Sequence, residues 1–210
     1  MLKVLIVDDH DIARAGVKLV LSEADMPFKF GEASTAGEAI QLLHDKTWDV
    51  VILDISLPDL NGIELLKRIR TNWKTLPVLI MSAHPEDQYA IRAFRSGAAG
   101  YLVKTNALAK LLPAIRKVTS GGRYIDIGLA EKLIMSLDEV SEGPVHKRLS
   151  DREYEVMCMI ASGMRLTDIS KEISLSVKTI STYRGRILAK MEMKNNAQLT
   201  HYAIAQGLVK

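Results

Sequence analysis

Apolar residues follow two rhythms along this chain, and the change of rhythm divides it. Up to about residue 120, short unbroken apolar runs alternate with stretches where apolar residues recur every three or four positions. The runs are Leu2–Val7, Phe28–Ala33, Trp48–Leu53, Pro77–Met81 and Gly100–Val103. Between them lie Ile12, Ala13, Gly16, Val17, Val20 and Leu21; a stretch from Thr35 to Leu43; Ile63, Leu66 and Ile69; Asp87–Ser96; and a last stretch to Thr119. A short run that is apolar throughout suits a strand buried on both faces, and three-to-four spacing suits a helix lying on a sheet. Five strands alternating with five helices require crossover connections. The predicted fold is therefore α/β, a doubly wound five-stranded parallel sheet. Local signals agree: Thr35 and Glu38 have the form of a capping box, Gly97 closes a helix, Asn106 can cap the last one, and Gly121-Gly122 stops it.

After Gly121 the strand runs cease. Residues 121–146 hold a short helical pattern (Leu129, Leu133, Ile134, Leu137) and then the polar stretch Asp138–Pro144, a composition that favours a mobile linker. From residue 147 only helical spacing remains. Ser150 and Glu153 form a second capping box ahead of Val156, Met157 and Ile160, with Cys158 read as packing at the helix edge, and Gly163 ends that helix. Thr167 can cap a short helix containing Ile169 and Ile173; Ser176 can cap a third, Val177–Met191; and Asn195 or Asn196 opens a fourth, closed by Gly207. Two short helices, a tight turn and a third make a helix-turn-helix pattern. The expected domains are thus 1–120, a linker 121–146, and a small all-α domain 147–210.

Composition narrows the setting. With 48% hydrophobic and 25% charged residues, a packed core is expected and wholesale disorder is not. One cysteine precludes an internal disulfide and fits a reducing compartment. No apolar run reaches about 18 residues, and the first run is too short for a signal peptide, so a cytoplasmic protein without a membrane partner is expected. The net charge of +3 is unevenly spread. Residues 146–210 carry 11 basic and 6 acidic side chains, whereas residues 1–145 carry 17 and 19. A basic second domain suits a polyanion, although ordinary surface variation produces asymmetry of this size as well.

Chemistry gathers just beyond the strands. The first is followed by Asp8 and Asp9, the third by Asp54, the fourth by Ser82 and the fifth by Lys104. In a parallel sheet these ends share one edge, where ligands of open α/β folds bind. Clustered carboxylates call for a hard cation, and Mg²⁺ takes a few oxygens together with water and phosphate. A carboxylate can attack phosphorus, and phosphoryl transfer needs in-line placement with neutralised oxygens. Singly, an acid after a strand is most often a cap or turn residue, and His10 and His84 read as solvent-facing or supporting groups. The joint pattern is specific. Val7-Asp8-Asp9-His10, Leu53–Gly62, Met81-Ser82-Ala83 and Gly97–Lys104 resemble the receiver domain of two-component response regulators over the whole first segment. The resemblance implies that Asp54 takes phosphate from a sensor histidine kinase's phosphohistidine. It implies that Asp9, Asp54 and the Ser56 carbonyl bind Mg²⁺ with help from Asp8, that Lys104 neutralises charge, and that Ser82 and Tyr101 act as a switch pair. It also suggests that the Ser56 and His84 side chains tune the lifetime of the phosphate. Thr105 departs from the family, which often has proline there.

On the third helix of the second domain, a wheel puts Val177, Ile180, Ile187, Leu188 and Met191 on one side and Lys178, Thr182, Gly185 and Arg186 opposite, flanked by Thr179 and Ser181. Arg184 falls on the apolar side. The free face is basic and hydroxylic, fit for phosphates and base edges. Leu149–Glu153, Ala161-Ser162-Gly163, Asp168-Ile169-Ser170, Ser176–Ser181 and Gly207-Leu208-Val209 resemble the LuxR-type helix-turn-helix of NarL/FixJ regulators. That resemblance implies a major-groove helix with Lys178, Thr179, Ser181, Thr182, Tyr183 and Arg186 at the DNA, and a last helix that helps form a homodimer. Arg165-Leu166-Thr167, Tyr183 and Asn196 depart from the residues common in the family. The expected function is a phosphorylation-gated transcription regulator that catalyses only its own phosphotransfer and dephosphorylation. An aspartyl-phosphate phosphatase would need an acid where Ser56 stands. A regulator that binds DNA without phosphate is the other alternative.

Overall fold

The computed structural model describes residues 1–83, 86–105, 107–125 and 144–209, and the side chains of residues 86–88 are left aside. His84, Asn106 and the helical pattern around Leu129–Leu137 lie outside the described residues. The chain divides into two compact units, Met1–Ser136 and Leu137–Lys210.

In the first unit, β1 (Leu2–Val7), β2 (Phe28–Ala33), β3 (Val50–Leu53), β4 (Val78–Ser82) and β5 (Gly100–Val103) form one parallel sheet in the order β2-β1-β3-β4-β5. Helices α1 (Asp11–Ser22), α2 (Ala36–Asp45), α3 (Gly62–Asn72), α4 (Glu86–Arg95) and α5 (Ala107–Thr119) make the crossovers. Residues alternate along each strand between the two faces. Val4, Ile6, Val50, Ile52, Leu79, Met81 and Leu102 form one core with Val17 and Leu21 of α1 and Leu111, Ala114, Ile115 and Val118 of α5. The central strands are wholly buried, which explains their unbroken apolar runs.

Two local expectations change. Thr35 does cap α2, accepting from Glu38 N at 3.1 Å, but the Glu38 carboxylate bonds Ser34 N and Oγ at 2.7 and 2.8 Å instead of closing a box on Thr35. The segment after α5 does not leave the sheet at Gly121. Tyr124 N donates to Ala99 O at 2.9 Å, and Tyr124 bridges Gly100 and packs partly against the core, covering the exposed side of the edge strand.

The second unit begins with a 3₁₀ turn, Val145–Arg148, followed by α6 (Asp151–Ala161), α7 (Leu166–Glu172), α8 (Val177–Lys190) and α9 (Asn196–Ala205). His146, placed by sequence in the linker, is 1% exposed, and its Nδ1 lies 2.8 Å from Tyr202 Oη. The Ser150–Glu153 capping box is complete. Helix α7 starts two residues earlier than expected, with Arg165 and not Thr167 at its N-cap. Helix α6 is buried on nearly every side, Cys158 and three acids included, because α7, α8 and α9 all pack on it. Among the described residues no helix is long and apolar enough to cross a membrane.

Candidate functional site

Strand register assembles the first site. Val7 is paired with Leu53, so Asp8 and Asp54 leave the sheet side by side, and Asp54 N donates to Val7 O at 2.8 Å. On the other flank Lys104 N donates to Ser82 O at 2.7 Å, which holds the end of β5 to the end of β4. Lys104 Nζ then reaches back to 2.7 Å from Asp54 Oδ2, in a hydrogen bond, and to 2.7 Å from Asp8 Oδ2, as an ion pair. Asp8 and Asp54 are 1% and 3% exposed, whereas Asp9 is half-buried.

Burial pushes the Asp54 carboxyl up to about 6; Lys104 opposes this, and the charge on Asp8 adds to it. Burial pulls the Lys104 ammonium down, but Asp54 and Asp8 outweigh it and hold its pKa above the ordinary value. The result is a water-poor pocket with a carboxylate facing a fixed ammonium. Asp8, Asp9, His10 and Asp54 each place one donor atom within 4.8 Å of the others, a set that could hold a metal ion. Asp9 Oδ1 is closed to solvent and lies 2.7 Å from His10 Nδ1.

The loop after Asp54 is fastened at several points. Ile55 N donates to Asp54 Oδ1 at 2.7 Å, Gly62 N donates to Ile55 O at 2.7 Å, and Asn61 caps α3 through Ile63 N at 2.9 Å. A Cβ on Gly62 would stand 2.1 Å from Asp54 O, so only glycine permits this return of the chain. Asp59 reaches across to α2, its two oxygens accepting from Ala36 N at 2.9 Å and Gly37 N at 3.0 Å. Sequence reasoning missed Asp59, because its partners lie more than twenty positions away and it reads as one more turn residue. Ser56 is half-buried in the same loop. Ser82 and Tyr101 are fully buried on neighbouring strands, with Ile80 opposite Tyr101 and Ser82 opposite Val103.

The second site is on α8. Ser176 Oγ caps it, accepting from Thr179 N at 3.1 Å. Ile180 and Ile187 are buried. Lys178, Thr179, Thr182, Tyr183 and Arg186 line a hollow of about 270 Å³ on the outer side; Ser181 is exposed but outside it. Val177, expected on the apolar face, is 44% exposed. Arg184 is turned to the protein and donates to Asn196 Oδ1 at 2.6 Å. The helix is anchored from below: Lys190 Nζ lies 2.6 Å from Glu153 Oε2. Burial raises the Glu153 pKa, but Lys190 and the Ser150 cap outweigh it and leave the carboxyl below its usual range. Arg152 pairs with buried Glu155 at 2.7 Å and donates to Ile173 O at the start of the turn before α8.

Comparisons with known proteins agree with both halves. Residues 4–116 match the response regulator receiver domain, and residues 147–203 match the bacterial regulatory proteins of the luxR family. The chain is 35% identical to the response regulator UvrY of Escherichia coli K12 over 210 residues, covering 99% of this chain and 96% of UvrY. It is 32% identical to the response regulator GacA of Pseudomonas aeruginosa, covering 100% and 98%. Its structure resembles that of RcsB from Salmonella enterica serovar Typhimurium bound to promoter P1flhDC in the presence of the phosphomimetic BeF₃⁻, with TM-score 0.59 and 25% identity, covering 96% of this chain and 97% of that one. The chain therefore belongs to the NarL/FixJ-type response regulators of two-component systems, transcription regulators that join a receiver to a LuxR-type DNA-binding domain.

Proposed function

We propose that Asp54 is the phosphoacceptor and that its phosphorylation by a partner sensor histidine kinase gates dimerisation and DNA binding through α8. The observation that carries this reading is the buried Asp54 carboxylate held 2.7 Å from Lys104 Nζ, with Asp8 beside it. A carboxylate oxygen attacks phosphorus as the P–N bond of the kinase's phosphohistidine breaks, leaving an acyl phosphate and a free imidazole. Lys104 stays paired with the new oxygens. Asp8, Asp9, Asp54 and the Ser56 carbonyl would hold Mg²⁺, which supplies neutralisation of the phosphoryl oxygens when bound. The Ser82 hydroxyl takes one phosphoryl oxygen, and Tyr101 moves with it, biasing a two-state element. The receiver's chemistry is limited to its own phosphotransfer and dephosphorylation.

At the far end, Lys178 and Arg186 neutralise phosphates, and Thr179, Ser181, Thr182 and Tyr183 meet base edges or sugars in the major groove. Two copies bind two half-sites. The receiver takes residues 1–120, the linker 121–146 and the DNA-binding domain 147–210, and the protein works in the cytoplasm. Incubation of the full chain with Mg²⁺ and a small acyl phosphate should add one phosphoryl group by mass. Equal labelling of Asp54→Asn would overturn the assignment.

A further inference from the structure

We propose that Arg152 and Glu155 form a positioning pair that sets the start of α8 and so governs how sharply the protein tells one DNA sequence from another. The inference rests on the reading of α8 above as the DNA-facing helix and adds what aims it. Glu155 is wholly buried in α6, and the Arg152 side chain is 11% exposed. Arg152 Nη1 donates to Glu155 Oε2 at 2.7 Å, and Nη2 donates to Ile173 O at 3.1 Å. A guanidinium is a rigid planar fork, so a buried carboxylate on one prong fixes the direction of the other.

Ile173 is the C-cap of α7, a position whose carbonyl finds no partner within its own helix. Beyond it Leu175 N donates to Ser170 O at 2.9 Å and Ser174 N to Lys171 O at 3.3 Å, a closure whose left-handed position usually holds glycine. Here the exposed Ser174 takes that position, at φ 50°. A side chain is disfavoured there. The turn therefore gains from an outside hold, and Arg152 supplies one. Ser176, which caps α8, follows closely on the held carbonyl. At the far end of α8, Lys190 Nζ lies 2.6 Å from Glu153 Oε2. Both ends of a 14-residue helix, about 21 Å long, are thus fastened to the start of α6. Lys178 and Thr179, which line the outer hollow, sit in the turn next to the Arg152 anchor. A base contact tolerates displacement of about 0.5 Å, whereas a long side chain follows a phosphate further. An apolar pair of equal bulk holds two helices together as well as a buried ion pair does. What the fork adds is direction.

The test compares the full chain, with Mg²⁺ and a small acyl phosphate, on two duplexes of equal length. One is the sequence that the wild-type chain selects from a randomised pool; the other is random. Arg152→Met with Glu155→Leu should lower the ratio of selected to random affinity by about tenfold or more, the loss expected of a misplaced base contact. Affinity for the random duplex should stay within about twofold, with an unchanged salt slope. Adding Ser174→Gly should restore any lost melting temperature without restoring the ratio. Arg152→Lys keeps a charge beside Glu155 but gives up the fork, and it should lower the ratio by about threefold or more. An unchanged ratio in either variant would overturn the proposal, as would an equal fall on both duplexes. A ratio that returns with Ser174→Gly would mean that the pair only stabilises the domain, and it would overturn the proposal too. If Lys178→Ala with Arg186→Ala binds both duplexes as the wild-type chain does, the reading of α8 fails and this one with it.

Discussion

Asp54 keeps its charge at a cost, and that cost can be measured. Its pKa of about 6 against an ordinary 3.8 means that the folded protein binds this proton more tightly than the unfolded chain does. The contribution to stability is therefore full below about pH 4 and is lost as pH rises through about 6. In metal-free buffer Asp54→Asn should stabilise the chain by about 1–2 kcal/mol near pH 7.5, less than the whole shift because Lys104 loses a partner, and the gain should vanish near about pH 4.5. Urea unfolding at the two pH values reads this out; an equal effect at both would mean that Asp54 is not strained by burial. The convergence of Asp8, Asp9, Asp54 and Lys104 was legible in the sequence because a parallel sheet puts the ends of its strands on one edge, and position after a strand is a local signal. Asp59 was not legible, because its partners on α2 are set by how loops fold over one another.

Helices show the same division between local and tertiary causes. The capping residues Thr35, Ser150, Ser176 and Asn195 were readable, since each accepts from a backbone N–H three positions on. The exposure of Val177 and the three buried acids of α6 were not, because both depend on how the helices pack on one another. The loop after Asp54 is under the same tertiary control. Gly62→Ala drives a Cβ into backbone and should cost more than about 3 kcal/mol, whereas Asp59→Ala, which frees two N–H groups of α2, should cost about 1 kcal/mol by denaturant unfolding. On α8, Lys190→Met strands the buried carboxylate of Glu153 and should cost about 1–2 kcal/mol, much of it recovered by adding Glu153→Gln. Lys178→Ala with Arg186→Ala should leave folding intact and flatten the dependence of DNA affinity on salt by about two units of log–log slope. An unchanged slope would refute the outer face of α8 as the DNA-facing surface.

Across the whole molecule, the phosphorylation gate predicts that operator affinity and solution mass both rise when a phosphodonor is added, and that neither changes in Asp54→Asn. Equal affinity with and without the donor would favour a regulator that reads DNA without phosphate. The division into a sheet unit and a helical unit was legible from the change in apolar rhythm alone. Its edges were not, because each is held by an aromatic contact with no sequence period: Tyr124 on Gly100, and His146 on Tyr202. Those contacts decide where the gene can be cut and spliced. A hybrid joined after Ser120 strips the edge strand of its cover, and one resumed at Lys147 empties the space beside Tyr202. Splices placed after Ile125 and before Pro144 keep both contacts, so hybrid regulators built there should retain the melting behaviour of their parents while exchanging input for output.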